Sequence, residues 1–361
     1  MKKMYQLGAV ILALAIAAGG LLGQRLTPAQ HARAGWEALD AGRFREAATS
    51  FEEALKGLPQ EPTVLLGAGV AAHRLGQSDS ARRYLLDTLR LAPRTTAASV
   101  LLGEVLYRAG DLGGAIQTYS LALVHAPDDG RLKAKLEAWR NEAALHERFD
   151  QKLGDHFTVL FEGPSEEELA KKAVEALEAA YWKIGAALST YPAEPIIVVL
   201  YTREQFRDVT QSPEWAGGAY DGKIRVPVQG AMKSTREFER VLTHEFTHAL
   251  VRTLAPSGVP QWLNEGLAIY FEGSDISKQI ALVAAAESKP SLTTLERPFS
   301  GMDSKAAALA YARSGVAVKL LMDEAGAPAI VALLGDLGRG LPFPEAFERN
   351  INMSYAEFQK R

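Results

Sequence analysis

Two histidines and a glutamate lie close together in the sequence, where residues 244–248 read His-Glu-Phe-Thr-His. On a helix, His244 and His248 project from one face, one turn apart. Two imidazoles at this spacing can hold one Zn²⁺, and Glu245 between them can take a proton from a water molecule at the metal. The pattern therefore predicts a metal-dependent hydrolytic site.

A third metal ligand is available in the stretch Trp-Leu-Asn-Glu-Gly at residues 262–266, where Glu265 follows the first motif after one short loop. Catalytic zinc takes three protein ligands and leaves its fourth position for water. Because two helices joined by a short loop can pack side by side, Glu265 can reach a metal held by His244 and His248. Spacing alone identifies no carboxylate that would orient the two imidazole rings.

Hydrolysis of an amide also requires a hydrogen-bond donor for the negative charge that develops on the carbonyl oxygen. Tyr311 and Tyr220 are candidates, and His156 is a weaker one. The alternative for each tyrosine is a core position with a satisfied hydroxyl.

Several elements must position these groups. The motif helix is predicted to begin at Ser234 or Thr235 and to end at Leu254, and Pro260 precedes a second helix over residues 261–271. Upstream, the patterns predict strands over residues 156–161 and 195–201, a helix over 165–188 with Ser165 as N-cap, a short helix capped by Thr202, and a hairpin with an Asp-Gly turn over 217–228. The strand at 195–201 is continuously apolar and is predicted to be central, whereas Pro227 favours an edge strand.

The remaining residues predict a helical C-terminal part. Helices are expected over residues 276–286, 304–325 and 327–335, followed by a loop rich in glycine and proline over 336–344 and a last helix from about Ser354.

The two motifs together, Thr-His-Glu-Phe-Thr-His-Ala and Trp-Leu-Asn-Glu-Gly-Leu-Ala, resemble those of gluzincin metallopeptidases, and most closely the bacterial peptidase MA-like domains. The resemblance covers roughly residues 156–325. It implies that His244, His248 and Glu265 bind one Zn²⁺ and that Glu245 is the general base. It also implies that Tyr311, in a later helix, assists the oxyanion.

The sequence departs from the aminopeptidases of this group in two places. The gap between His248 and Glu265 is slightly shorter, and the glycine-rich motif with a glutamate that captures a free amino terminus is missing. Gly-Gly-Ala-Tyr-Asp at residues 217–221 occupies the comparable position. The departures favour internal cleavage of an extended peptide that lies along the hairpin edge.

An internal repeat of 34 residues precedes this region, and 34 residues is the tetratricopeptide period. The residues that recur in step are Gly35, Gly69 and Gly103; Gly42, Gly76 and Gly110; Ala47, Ala81 and Ala115; Phe51, Leu85 and Tyr119; and Pro59, Pro93 and Pro127. Small residues allow paired helices to approach closely, and proline ends the second helix of each pair. The segment resembles tetratricopeptide repeats, which implies either a groove for a partner protein or a rigid spacer. His31, His73, His125 and His146 are expected to be surface or groove histidines.

The predicted fold is therefore α+β, with an all-α tetratricopeptide solenoid before a zincin-like metallopeptidase domain that contains a small mixed sheet, an active-site helix and a helical C-terminal part. The predicted boundaries are residues 28–130 for three repeats, 131–152 for a capping or linker helix that reaches Asp150, and 153–361 for the peptidase domain.

The N-terminus and the composition bear on the compartment. Lys2 and Lys3 precede an uncharged run over residues 4–24, which predicts export, with residues 1–24 acting as a cleaved signal peptide or as a membrane anchor. The expected location is the periplasm or cell envelope, with the protein either soluble or anchored to the inner membrane. A net charge of -3 gives no basic surface for nucleic acid, and the absence of cysteine excludes thiolate zinc sites.

Two functions follow from the sequence. The first is an exported zinc endopeptidase whose repeats bind a substrate or partner protein. The second is a non-catalytic tetratricopeptide scaffold with a degenerate or structural zincin domain. Hydrolysis of another amide, such as a cell-wall peptide, is a third possibility that the sequence leaves open.

Overall fold

The computed structural model describes residues 26–213, 216–229, 234–288 and 290–361. The predicted signal peptide or anchor at residues 1–24 lies outside the described residues. Among the helices that the structure describes, none is both long enough and apolar enough to cross a lipid bilayer.

Three pairs of antiparallel helices and a seventh helix form the N-terminal part. The helices are α1 (Pro28–Asp40), α2 (Phe44–Gly57), α3 (Pro62–Arg74), α4 (Ser78–Leu91), α5 (Thr96–Arg108), α6 (Leu112–His125) and α7 (Gly130–His146). The 34-residue pattern explains the pairing. A Cβ atom on Gly103 would lie 2.4 Å from the ring of Tyr119, so glycine allows the two helices of a pair to touch. The second glycine of each repeat, such as Gly76 with φ of +72°, forms the turn between the helices.

A five-stranded mixed sheet follows the repeats. Its strands are β1 (Phe149–Leu153), β2 (Phe157–Glu162), β3 (Ile196–Thr202), β4 (Ala219–Tyr220) and β5 (Ile224–Gln229). The order is β1-β2-β3-β5-β4, with parallel pairing of β2, β3 and β5 and antiparallel pairing of both outer strands. The prediction that 195–201 forms a central strand is therefore confirmed.

Two expectations about the sheet are wrong. The helix predicted to reach Asp150 ends at His146, and the next residues form β1, so the sheet begins before residue 153. The strand that contains Pro227 is not the edge strand, because β4 lies outside it. Pro227 is tolerated because β4 pairs only with Ile224 and Arg225, so no described strand needs an N–H group from the proline on that side.

The part of the core that contains both sequence motifs lies on one face of the sheet. The helices there are α8 (Glu167–Leu188), α10 (Thr235–Leu254), α11 (Gln261–Phe271), α12 (Ile276–Ala285), α13 (Ser304–Glu324), α14 (Gly326–Gly338), α15 (Phe343–Ile351) and α16 (Tyr355–Phe358). Helix α8 packs against β2 and α10, and α11 packs between α10 and α13. The other face of the sheet is covered by α9 (Arg203–Thr210) and by the end of α7, where Phe206 and Leu145 pack around Tyr201.

Two further helix predictions need correction. A short 3₁₀ turn at Pro164–Glu166 precedes α8, so the helix begins at Glu167 and Ser165 is not its N-cap. The loop predicted at residues 336–344 is shorter, at residues 339–342, because α14 continues to Gly338 and α15 begins at Phe343. Proline at the first turn of α15 starts that helix, since its missing N–H is not needed there.

Buried charges join the repeats to the sheet. On β5, Arg225 is fully buried, and it donates to Glu142 of α7 at 3.0 Å and to the hydroxyl of Tyr107 on α5 at 2.7 Å. Lys223 donates to the same carboxylate at 3.1 Å. Burial alone would raise the pKa of Glu142, but Arg225 and Lys223 outweigh it and lower that pKa to about 2.

Candidate active site

Helix α10 carries three of the predicted site residues. Ser234 caps its first turn by accepting a hydrogen bond from the backbone of Glu237, as predicted. The rings of His244 and His248 lie side by side on one face, with centroids 4.8 Å apart. Residues on the opposite face, such as Phe246 and Leu250, are fully buried in the core and fix the rotation of the helix.

Helix α11 presents Glu265 to the two histidines. It begins immediately after Pro260, as predicted, and Trp262 and Leu263 are buried without exposed surface. A Cβ atom on Gly266 would lie 2.4 Å from the carbonyl oxygen of Ser314 on α13. The glycine after Glu265 therefore allows α13 to support the helix from behind.

The ligand atoms of these three residues converge. Glu265 Oε2 lies 3.3 Å from His244 Nε2 and 3.5 Å from His248 Nε2, and the three ligand atoms lie within 4.8 Å of one another. The other carboxylate oxygen of Glu265 accepts a hydrogen bond from Gln261 at 2.7 Å, which holds the carboxylate in this orientation.

Both histidines are oriented through their second ring nitrogen. Nδ1 of His244 lies 2.7 Å from Oε2 of Glu272, and Nδ1 of His248 lies 3.0 Å from Oδ1 of Asn264. Both partners are acceptors, so each Nδ1 can donate to its partner, and each Nε2 is directed toward Glu265. Three electron-rich atoms that face one another require a positive charge between them, and a small divalent cation such as Zn²⁺ fits this donor set.

The pKa shifts reflect the same requirement. Burial alone would lower the pKa of His244, but its hydrogen bonds to Glu265 and Glu272 outweigh burial and raise that pKa well above its ordinary value. Burial likewise opposes ionisation of Glu265, yet His248 and His244 hold its pKa far below its usual range. Protons on the histidines therefore balance the carboxylate of Glu265 when no cation is bound, and a divalent cation would supply this positive charge in their place.

Glu245 lies beside the ligand cluster and lines the same cavity, which has a volume of about 390 Å³. Its side chain is 6% exposed, and burial raises the pKa of its carboxyl group. A Cβ atom on Gly218 would lie 2.6 Å from Glu245 Oε1, so the segment before β4 passes directly over this carboxylate. Glu245 therefore faces a confined space between the hairpin and the metal ligands.

The two tyrosines that were predicted as hydrogen-bond donors line the same cavity as the candidate metal ligands. Tyr220 is in β4, and Tyr311 is in α13, where its ring contacts Phe299 edge-on at 5.4 Å. Burial raises the pKa of both hydroxyl groups, so both stay protonated and can donate.

A family model of the Peptidase MA superfamily matches residues 176–359, slightly more than half of the chain. The chain belongs to the Peptidase MA superfamily. A tetratricopeptide repeat model matches residues 33–79 and 74–130, so tetratricopeptide repeats precede the domain. The family match begins inside α8 and extends beyond the predicted limit at residue 325 to α16.

The chain also resembles the Protein CTR9 homolog of Arabidopsis thaliana. The two are 28% identical over 133 residues, which is 34% of this chain and 12% of that protein. The chain thus spans a small part of that relative.

Sequence reasoning missed Glu272, which supports His244, one of the candidate metal ligands of this Peptidase MA domain. Its Oε1 accepts from Arg240 at 3.0 Å and from the hydroxyl of Ser274, so both carboxylate oxygens are used. A signal for it exists in the sequence, because Glu272 follows Glu265 by seven residues. Seven residues are two helical turns, and Glu272 is the C-cap residue of α11, so both side chains lie on one side of this helix.

Three histidines can be compared with their predictions, and two of them, His156 and His146, do not fit. His156, the weaker candidate for an oxyanion donor, does not line the cavity; its Nδ1 lies 2.7 Å from Glu178 Oε2, and its ring stacks on Tyr181. His146 was expected in a surface or groove position, but it packs between α7 and β3, 2.8 Å from the hydroxyl of Tyr201. Burial, followed by the charges of Arg108 and Arg252, lowers the pKa of His73 to about 4, so it is a neutral, partly enclosed residue.

Proposed function

We propose that this chain is an exported, zinc-dependent peptidase that cleaves internal peptide bonds. The observation that carries the proposal is the position of Glu265 Oε2 opposite both His244 Nε2 and His248 Nε2, with Glu245 beside them in one cavity. Two imidazoles and one carboxylate form the donor set of a catalytic zinc site, in which one position stays open. His244, His248 and Glu265 would hold the ion.

When bound at these residues, Zn²⁺ supplies a Lewis acid that polarises a carbonyl group and makes water more acidic. Glu245 accepts the proton from the attacking water and delivers it to the amine that leaves. A raised pKa suits this role, because a carboxylate of higher pKa is a stronger base and its protonated form is still acidic enough to return the proton. Its position under Gly218 keeps bulk water away from it.

Tyr311 is proposed to donate a hydrogen bond to the carbonyl oxygen as negative charge develops there. Its hydroxyl stays protonated because burial raises its pKa, and it lines the cavity from the side opposite the hairpin. Tyr220 is the second candidate, since its strand lies along the same cavity. A donor that is already in place when charge develops stabilises the transition state without reorganisation.

The lining of the cavity supports endopeptidase rather than aminopeptidase action. Among the described residues that form it, the carboxylates are Glu245 and Glu265, and both already have roles. Within the described part of the lining, no further carboxylate is left to bind a free amino terminus. The short strand β4 lies beside the cavity, where an extended substrate can add to the edge of the sheet.

The repeats are proposed to bind the substrate or a partner protein, and the envelope is the proposed location. Tetratricopeptide arrays present extended surfaces to proteins. The support for export is the sequence Met-Lys-Lys followed by an uncharged run to residue 24.

Metal content and peptide hydrolysis test the proposal together. Purified full-length protein is expected to contain one zinc per chain and to cleave members of a peptide library. A chelator should abolish the cleavage, and added Zn²⁺ should restore it. Protein that binds no zinc, or that cleaves equally well without it, would contradict the proposal and favour the scaffold function.

A further inference from the structure

The cavity continues along α10 beyond the metal ligands. Arg252 follows His248 by four residues and His244 by eight, so it lies on the same face of the helix and lines the same cavity. The rise of a helix places its Cα atom about 6 Å beyond that of His248. A substrate that extends from the metal site in this direction therefore meets a guanidinium group.

The repeats pack against the segments next to this end of the cavity. A Cβ atom on Gly76, in the turn after α3, would lie 2.4 Å from Pro256, which belongs to the loop between α10 and α11. On the other side, Gly222 of the hairpin packs against the backbone of Arg108 at the end of α5, where an added Cβ atom would lie 3.0 Å from the carbonyl oxygen. Two turns of the repeat array thus contact Pro256, which lines the cavity, and the hairpin turn that follows Tyr220.

Two arginines, Arg108 and Arg252, give this region a positive charge. Arg108 comes from the repeats and Arg252 from the peptidase domain, and within the described part of the chain neither forms an ion pair. The neighbouring acids are engaged elsewhere: Glu104 pairs with Lys135 at 3.1 Å, and Asp221 pairs with Arg225 at 3.2 Å.

The positive charges of the two arginines shift the pKa values of neighbouring groups. Loss of water contacts and the charge of Arg252 lower the pKa of Arg108. Burial, then Arg108 and Arg252, lower the pKa of His73 to about 4, so this histidine is neutral at neutral pH. Glu104 and Asp221 partly offset these effects on Arg108, but neither guanidinium group forms an ion pair with the described residues.

We propose that Arg252, supported by Arg108 of the repeats, binds a carboxylate group of the substrate peptide. The inference rests on the proposed peptidase function and names its substrate class. A guanidinium group recognises a carboxylate through two parallel hydrogen bonds. Because an extended chain advances by about 3.4 Å per residue, the carboxylate lies about two to three residues from the scissile bond. It is either the C-terminal carboxylate or the side chain of an aspartate or glutamate.

Matched peptides distinguish the two sources. From a peptide that the full-length enzyme cleaves, three further forms are made: one with a C-terminal amide, one with its acidic side chains replaced by amides, and one with both changes. Removal of the recognised carboxylate is expected to lower kcat/KM by about 10-fold or more, the range for a hydrogen bond to a charged group. The form that loses activity identifies the source. Equal cleavage of all four forms would overturn the proposal while leaving the peptidase function intact.

Variants connect this preference to the arginines. Arg252→Gln should remove the preference for the carboxylate, Arg252→Lys should retain part of it, and Arg108→Gln should weaken it. Arg236→Gln is the control, because Arg236 is exposed in the first turn of the same helix. An Arg252→Gln enzyme that still prefers the acidic form would overturn the assignment.

A binding measurement keeps the inference separate from the proposed function. The probes are acetyl-trialanine and its C-terminal amide, together with acetyl-Ala-Asp-Ala-amide, and saturation-transfer NMR reports their binding to the full-length protein. If no peptide is cleaved, the proposed function fails. The inference still stands if a carboxylate probe binds at least about 10-fold more tightly than trialanine amide and if Arg252→Gln removes the difference. It fails if all three probes bind alike.

Discussion

The carboxylate of Glu272 lies 2.7 Å from His244 Nδ1, on the side of the ring that faces away from Glu265. The same carboxylate accepts from Arg240, so a chain of charged groups runs from the surface of α10 to the candidate metal ligand. A carboxylate in this position fixes the tautomer of the imidazole, and it increases the basicity of the nitrogen that binds a metal.

We expect Glu272→Gln to weaken zinc binding by about 10- to 100-fold, because the amide supports His244 without a negative charge. Competition with a chromogenic chelator measures the affinity. Glu239→Gln, at an exposed position of α10, is the control and should bind zinc like the unchanged protein. Equal affinity of the Glu272→Gln protein would show that this carboxylate does not support the metal site.

Gly218→Ala should lower kcat/KM by about 100-fold with zinc content unchanged, since an added Cβ atom would lie 2.6 Å from Glu245 Oε1 and displace the base. Steady-state kinetics and metal analysis of the purified variant check both parts. Gly217→Ala is a matched control, because a Cβ atom there would meet Val241 at an ordinary 3.6 Å. Similar kinetics for the two variants would place Glu245 outside the reaction.

Tyr311→Phe is expected to lower kcat by about 100-fold with little change in KM, because a donor to the oxyanion acts in the transition state more than in substrate binding. Tyr220→Phe, which removes the other hydroxyl from the same cavity, should have a smaller effect. Parallel kinetics on one peptide give the comparison. A larger loss of kcat in Tyr220→Phe would transfer the role to the hairpin.

The junction between the repeats and the sheet predicts a pH dependence of stability. The pKa of Glu142 is lowered from 4.5 to about 2, so its ionised form stabilises the folded state above pH 4.5. This contribution is lost as the pH falls from about 5 toward 2, and it is worth about 1–3 kcal/mol. Urea unfolding of metal-free protein at a series of pH values measures the slope.

Glu142→Gln should remove that part of the slope and should also destabilise the protein at pH 7 by about 3–5 kcal/mol, because Arg225 and Lys223 are then buried without their carboxylate. Glu137→Gln is the control, since its ion pair with Arg140 on the same helix is exposed and contributes less than about 1 kcal/mol. An unchanged pH slope in Glu142→Gln would contradict the role of this cluster.

Sequence periodicity predicted the parts of the molecule that local rules determine. The 34-residue spacing of Gly35, Gly69 and Gly103 reports a contact between adjacent helices, and the four-residue spacing of His244 and His248 reports one face of one helix. Both relationships join residues that are close in the sequence, so the sequence pattern alone reveals them. The apolar run at 195–201 identified the central strand for the same reason.

The contacts that sequence reasoning missed depend on packing between distant segments. Glu142 and Arg225 are 83 residues apart, and nothing in either local sequence indicates that they meet. Strand β1, with the sequence Phe-Asp-Gln-Lys-Leu, is partly exposed and carries too few apolar residues to be distinguished from the end of α7. The helix Phe343–Ile351 was not predicted, and its first two residues were assigned to a loop, because prolines at a helix start and in a loop look alike in sequence.

The central claim is that Glu245 transfers protons in a zinc-dependent hydrolysis, and the most direct test is Glu245→Gln in the full-length protein. Glutamine has nearly the same shape, so the variant should bind one zinc per chain with unchanged affinity. Because its amide cannot accept the proton, kcat for peptide cleavage should fall by at least about 100-fold. A variant that keeps zinc and cleaves at the original rate would contradict the account.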